Sequence, residues 1–410
     1  MIRKLLNILL FAYFGYELGR IVWIIFFPWQ HIPFDFRIYM NAFADARANQ
    51  DIYHRYYSDT LFTYPPSIFI FLIPFALVPS VIGAKIWLIL SLICLLASFF
   101  LLFWQWLPHR ALAVQCFIIG LFLQLFPTLN TFEMGQNNIF VLFFCVLALV
   151  ISQRVKQNSY KLQIAAGVCI GIAGGLKLIP LIILVYFVLK KQWLSMGTAI
   201  IIFLAMNFGS IVAGIPLRYS GEYIQIVHQF TAPAIGSWAY KTMAIQYDQS
   251  FYSFLTRYFH IDTQIKLTIS YLIFVVLIAL AVLRWFKKRE DGELFSSLLV
   301  IGVLIPKTLV WHHHLVLLYP ALFFIMYRFF STRKLLYFIL FGFLYFYLYI
   351  TPFDMEGNLR FFFNSSDVPI FTFHGLFVGL LMLWVFQLKY VPLSPGIIPK
   401  YEMEVSPAHR

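Results

Sequence analysis

Six short polar clusters interrupt an otherwise apolar chain, and their side chains are of the kinds that move protons and hold phosphates. They are Asp35-Phe-Arg37-Ile-Tyr39, Tyr64-Pro65-Pro66, Gly135-Gln136-Asn137-Asn138, Gly175-Leu-Lys177-Leu-Ile-Pro180, Asp248-Gln249-Ser250 and Trp311-His312-His313-His314. A carboxylate such as Asp35 takes a proton from a hydroxyl when it is ionised and within hydrogen-bond reach. Taken alone, its simpler reading is a solvated loop aspartate paired with Arg37. Lys177 lies between paired glycines and a proline inside an apolar run. A lysine there is costly to place in hydrocarbon and faces a cavity or a partner, and its compact, strongly hydrated charge suits a phosphate. The bland alternative is a lysine that snorkels to the surface. Gln136 and Asn137 read either as ligand contacts or as the cap of the helix that follows, asparagine being a good N-cap. Trp311 and the adjacent histidines invite a metal reading. Consecutive helical residues point about 100° apart, so adjacent imidazoles chelate poorly; the expectation is no metal, with His313 and His314 orienting a phosphate or hydroxyl.

The elements that must position these residues are membrane helices. Of the residues, 61% are hydrophobic, 20% aromatic and only 11% charged, with a mean hydropathy of +0.82. A soluble domain carries about 25% charged residues, so a water-facing surface is excluded. The apolar runs are roughly 15–25 residues long, and about 20 residues cross the hydrocarbon core. The net charge of +13 comes from Lys and Arg in short loops between those runs, as the positive-inside rule expects. No basic stripe sits on a soluble module, so nucleic acid is not an expected partner. Cys94, Cys116, Cys145 and Cys169 all fall within apolar runs and lack metal-like spacing. They read as small core residues. The N-terminal apolar stretch is too long for a signal peptide and lacks a small-residue cleavage site, so it reads as a first membrane helix.

With Arg3 and Lys4 placed inside, the chain threads as 5–27, 80–106, 111–129, 139–152, 162–189, 195–214, 265–283, 294–311, 315–330, 335–350 and 370–388. Residues 162–189 lie between two basic loops. Gly174, Gly175 and Pro180 break that run, since Pro and paired Gly interrupt a helix. It is therefore read as two short limbs with Lys177 at the turn. The expected fold is an all-α polytopic bundle of about 11–12 transmembrane segments, one domain over 1–388 with a cytoplasmic tail over 389–410. Every polar cluster then emerges on one face, the extracytoplasmic side of a plasma (inner) membrane. Glu17 and Arg20 are one turn apart and form a structural i,i+3 pair.

Taken in order, these residues resemble the polyprenol-phosphate-mannose-dependent alpha-mannosyltransferases, integral-membrane class C glycosyltransferases. Asp35-x3-Tyr39, Asp51-Ile-Tyr53 and Phe62-Thr-Tyr64-Pro65-Pro66 resemble that family's first outer loop. Gly135-Gln136-Asn137-Asn138, Ala166-Gly167 through Lys177-x2-Pro180, Gln249-Ser250 with Arg257, and Trp311-x-His313-His314 follow in the family's order, so the resemblance covers roughly residues 30–325. Asp248 stands where the family has Asn, and Pro306-Lys307-Thr308 where it has a Ser-Pro pair; Lys307 is a further candidate phosphate contact. The resemblance implies a polyprenyl-phosphate sugar as donor, a glycolipid or glycan acceptor and no separate cofactor. It makes Asp35 the base that deprotonates the acceptor hydroxyl, and the sugar is transferred with inversion. Tyr39, Tyr64, Gln136, Asn137, Gln249, Ser250 and Trp311 line the substrates, while Lys177, His313, His314 and Arg37 face the leaving phosphate. Two other classes fit the architecture. A secondary transporter would place its polar site near the midplane and show repeats; another polyprenyl-phosphate-dependent glycan ligase or polymerase would require a lipid-linked oligosaccharide.

Overall fold

A computed structural model describes residues 2–27, 29–57, 60–155, 159–230, 248–259, 261–305, 310–349 and 374–387. The expected tail, together with Lys307, lies outside these residues. The first half runs through α1 (Ile2–Phe26), α2 (Phe34–Arg47), a two-residue antiparallel pairing of β1 (Tyr56–Tyr57) with β2 (Thr60–Leu61), and α3 (Ile68–Ala76). It continues through α4 (Ser80–Trp106), α5 (Leu112–Leu123), α6 (Phe126–Met134), α7 (Asn138–Gln153), α8 (Tyr160–Leu176), α9 (Leu184–Leu189) and α10 (Trp193–Gly209). The second half holds α11 (Arg218–Phe230), α12 (Phe251–Tyr258), α13 (Thr263–Lys288), α14 (Asp291–Leu304), a 3-10 helix at His312–Leu318, α15 (Tyr319–Thr332), α16 (Leu335–Tyr349) and α17 (His374–Gln387).

Each expected apolar segment has a helical counterpart, and among the described residues five helical spans are long and apolar enough to cross a membrane. The protein is an all-α polytopic membrane protein. Helices α1 and α13 bury little of their surface, as lipid-facing helices do, whereas α14 is buried from Gly292 to Leu304 and forms the centre of the bundle.

Three local features depart from the sequence reading, each for a visible reason. The run 111–129 is not one helix. Pro127 stands in the first turn of α6, where its missing N–H costs nothing, and α5 and α6 meet at a bend of 63°. The segment after α1 contains a full helix, α2, which the alternation of polar and apolar residues had hidden. The histidines begin a 3-10 helix that leads into α15 instead of closing a loop. The break at Lys177, in contrast, lies where Gly174-Gly175 and Pro180 put it. Helix α8 ends at Leu176, Lys177 is extended (φ −160°, ψ 136°), and Pro180 opens the 3-10 turn Ile179–Ile183.

Two polar clusters lie at opposite ends of α7, whose 16 residues span about 22 Å. One, at the start of α7, holds Asn138 and Lys177. At the other end Gln153 and Lys190 reach Asp291, the latter at 2.6 Å, and the indole of Trp285 donates to the same carboxylate. Beside them Arg328 forms a buried two-pronged pair with Glu293, and Arg284 joins at 3.2 Å. The third Arg328 nitrogen donates to the Val385 carbonyl, which ties α14, α15 and α17 together. Removing one member of such a pair strands a buried charge and costs about 3–5 kcal/mol. Glu293→Ala is accordingly expected to lower the unfolding temperature of the detergent-solubilised protein sharply, while a lipid-facing control such as Leu272→Ala leaves it nearly unchanged.

Candidate active site

The site is built on the turn that joins α6 to α7. Gly135 ends α6 in the left-handed conformation (φ 70°), and a Cβ there would sit 2.6 Å from the Pro33 ring. Glycine therefore lets this turn press against the start of α2, and the Trp87 indole fixes it by donating to the Gly135 carbonyl at 3.0 Å. Gln136 is thereby brought to Asp35, in the first turn of α2, and its Nε2 donates to Asp35 Oδ2. The Gln136 Oε1 accepts from Tyr64 Oη at 2.7 Å and from Tyr39 Oη at 3.0 Å. Two residues further on, Asn138 Oδ1 accepts from Lys177 Nζ at 2.6 Å. One turn thus holds a carboxylate with one amide and an ammonium with another.

Lys177 reaches this position because α8 breaks there, and the break is capped by side chains. Ser67 Oγ donates to the Gly175 carbonyl and Asn137 Nδ2 to the Leu176 carbonyl at 3.2 Å. Carbonyls freed at membrane depth need such partners. Asn137 stands at the N-cap position of α7, but its side chain makes no capping bond; it serves the neighbouring helix instead. The α8 limb is held close to α10 by Gly167 and Gly171, where an added Cβ would lie 2.4 Å from the Ser195 carbonyl and 2.6 Å from Ile202. This is the small-residue packing typical of membrane helices.

Asp35 and Lys177 are both half-buried, and neither is in ion-pair contact with a described residue. Asp35 is enclosed deeply enough that burial pushes its carboxyl up to about 7, with the Gln136 hydrogen bond and the Lys177 charge pulling against the rise. Its Oδ1 accepts no hydrogen bond from the described residues, while the group keeps some accessible surface. A carboxylate poised near neutral pH with one free oxygen is suited to general-base work.

From the 3-10 helix, His313 Nδ1 pairs with Asn130 Oδ1 of α6 at 3.2 Å. An amide oxygen only accepts, so the proton sits on Nδ1 and Nε2 is left bare. That nitrogen is buried without a partner, as are Asn138 Nδ2 and Asn137 Oδ1. Buried polar atoms are nearly always satisfied, so this set beside Lys177 is suited to receiving a polar ligand. No group of three His, Cys, Asp or Glu suited to a metal occurs among the described residues.

The remaining expected site residues lie elsewhere. Arg37 is exposed, stacked near the Phe34 ring and about 200° round α2 from Asp35. Gln249 and Ser250 are buried supports: Gln249 N donates to Val310 O at 2.8 Å, Gly375 N donates to Gln249 Oε1, and Ser250 Oγ caps α12. Asp248, the unusual second carboxylate, accepts from Val310 N at 3.0 Å and from Ser250 N and Oγ. It braces the segment leading to Trp311. Trp311 is half-buried and precedes the 3-10 helix, and the His314 ring packs edge-on against His313 at 4.7 Å between centroids. Asn130, Ser67 and Trp87 were not singled out in the sequence, and Asn138 only as a member of its cluster; polar residues inside apolar runs were the available signal.

Residues 62–307 match the family model of Glycosyltransferase family 87, well over half of the chain. The chain belongs to glycosyltransferase family 87. The enzyme is also similar to a curated protein of Mycolicibacterium smegmatis, a polyprenol-phosphate-mannose-dependent alpha-(1-2)-phosphatidylinositol pentamannoside mannosyltransferase. The two are 25% identical over 320 residues, covering 74% of this chain and 72% of that protein. No solved structure gives a significant match. Of the site residues of this glycosyltransferase, the matched stretch reaches Tyr64, Gln136, Asn137, Lys177, Gln249 and Ser250; Asp35, Tyr39, Trp311, His313 and His314 flank it.

The turn geometry makes one substitution diagnostic. Gly135→Ala combines a left-handed backbone, which costs of order 1–3 kcal/mol, with a collision against Pro33. It is expected to yield folded protein of lowered thermal midpoint that has lost most glycosyl transfer, because the Gln136–Asp35 contact opens.

Proposed function

We propose that the protein transfers a hexose, mannose by analogy with the relative's named donor, from polyprenyl phosphate to a hydroxyl of a glycolipid or glycan acceptor. The transfer takes place on the extracytoplasmic face of the plasma membrane. What supports that orientation is the distribution of basic residues: Arg154, Lys190, Arg284, Lys287, Lys288, Arg333 and Lys334 gather at the end of the bundle away from Asp35, as the positive-inside rule expects of a cytoplasmic end.

The observation that carries the reading is the pair formed by Asp35 and Lys177, held on Gln136 and Asn138 of a single turn without being paired to each other. In this reading Asp35 Oδ1 takes the proton of the acceptor hydroxyl. The resulting oxygen nucleophile attacks the anomeric carbon opposite the phosphate, the carbon–oxygen bond to the phosphate breaks, and the anomeric configuration inverts. Negative charge grows on the departing phosphate monoester. Lys177 stabilises it, with Asn138 Nδ2 as a further donor, and preorganised donors of this kind are worth most in a water-poor site. His313 Nε2 accepts from a sugar hydroxyl in its neutral form.

The test uses purified protein in lipid, radiolabelled polyprenyl-phosphate mannose and a membrane lipid extract. Label should pass to a new product with the wild type. Transfer from another polyprenyl-phosphate hexose but not from the mannose donor would overturn the sugar; no transfer from any polyprenyl-phosphate hexose by folded protein would overturn the donor class. Asp35→Asn is expected to lower turnover about 10²–10⁴-fold, the usual contribution of a positioned base, with donor binding retained. Asp248→Asn, which loosens the brace behind Trp311, should reduce thermal stability while folded protein keeps near-normal turnover. The reverse ranking would mean that Asp248 is the base.

The pH dependence follows from the same group. A base works only when ionised, and burial raises the Asp35 carboxyl to about 7. Turnover should therefore fall about tenfold per unit as the pH drops below that value. A profile flat down to pH 5 would contradict the assignment.

A further inference from the structure

We propose that Gln136 is a positioning residue for Asp35, locked in one amide orientation by the hydroxyls of Tyr39 and Tyr64. The lock keeps the carboxylate ionised and aims its free oxygen at the acceptor. The inference rests on the reading of Asp35 as the base.

An amide side chain has two orientations of nearly identical shape and opposite chemistry. Here both ends of Gln136 select the same one. At its oxygen end, two phenols converge on Oε1, at 2.7 Å from Tyr64 and 3.0 Å from Tyr39. At its nitrogen end lies the Asp35 carboxylate, which accepts and does not donate when ionised. A flip would turn the carbonyl dipole onto that carboxylate. Tyr39 and Gln136 are almost wholly buried, and burial holds the Tyr39 hydroxyl in its protonated, donating form. The rings brace each other, Tyr39 and Tyr64 meeting edge to face at 4.9 Å and Tyr39 also packing against Trp87. The backbone under Gln136 is fixed by the left-handed Gly135 and the Trp87 indole.

The consequence for Asp35 is twofold. A hydrogen bond donated to the charged form favours that form, and engaging Oδ2 leaves Oδ1 as the reactive oxygen. The other ionisable groups around the base are few. Lys177 approaches from the end of α8 and acts on Asp35 through its charge, with His313 facing Lys177 from the 3-10 helix. Lys85 of α4 lies near the Trp29 ring, Glu133 of α6 faces Arg20, and Arg37 points outward; α3 carries no titratable side chain. Gln136 touches the base and not the reacting atoms, so its effect must pass through Asp35.

The pH profile of turnover separates positioning from mere support. It is measured in lipid for the wild type and for Gln136→Ala, Gln136→Glu, Asp35→Asn and the double variant Tyr39→Phe/Tyr64→Phe. Gln136→Ala should move the acidic limb upward by about one to two pH units, the scale of one hydrogen bond to a charged group. Gln136→Glu should move it further, because the phenols stabilise a second carboxylate beside the first. The double tyrosine variant removes only two hydroxyls and should move the limb the same way, which keeps the test intact if Gln136→Ala does not fold. KM for the donor should hardly change in any of them. A limb left at its wild-type position in both Gln136 variants, with only the amplitude reduced, would overturn the proposal while leaving the base assignment standing. Undiminished turnover in Asp35→Asn would overturn both.

Discussion

A lysine cannot sit on a continuous membrane helix without a polar partner, and most of this site follows from how the chain meets that demand. Helix α8 stops at Leu176, which frees two carbonyls and turns Lys177 out of the helical register. Ser67 arrives from the segment before α3 to take one carbonyl, and Asn137 from the start of α7 to take the other. Recruiting Asn137 brings Asn138 to the ammonium and Gln136 to Asp35. Segments remote in sequence are thus drawn together by the hydrogen-bonding needs of one interrupted helix. The glycines that let α8 lie close to α10 hold the interrupted limb in place from behind.

The two ends of the bundle handle charge differently. At the end distant from Asp35, Arg328, Arg284, Lys190, Glu293 and Asp291 are paired with one another and with buried amide and indole donors. Those contacts hold helices together. Around Asp35 and Lys177 each charge has a neutral amide partner instead, and several buried polar atoms remain unmatched. That contrast, more than the number of ionisable groups, is what supports the proposed site of chemistry at Asp35 and a structural clasp at the other end.

Much of this was legible in the sequence, and the omissions have physical causes. Apolar run lengths give the membrane bundle, and Gly174-Gly175 with Pro180 marks the break at Lys177, because those residues act locally and strongly. Asp35, Gln136 and Lys177 stood out as polar residues next to apolar runs. The partners that arrange them did not, because Trp87 donating to Gly135 and Asn130 pairing with His313 are contacts across 48 and 183 residues. Gln249 and Ser250 looked like substrate ligands, since a buried brace and a ligand contact demand the same residue types. Arg37 looked like a phosphate contact until the rotation of α2, invisible as a loop, turned it outward. The bend after α5 was likewise hidden, since Pro127 suits a helix start as well as it breaks one.

Attaching the carboxylate and the ammonium to side chains two residues apart on one stiff turn has a mechanical consequence. Bilayers fluctuate in thickness, and membrane helices answer by tilting. Asp35 and Lys177 are carried by different elements, α2 and the end of α8, so tilting of either would alter their separation. Hydrogen bonds from both to one turn at the start of α7 tie the two side chains to a common reference and resist that change.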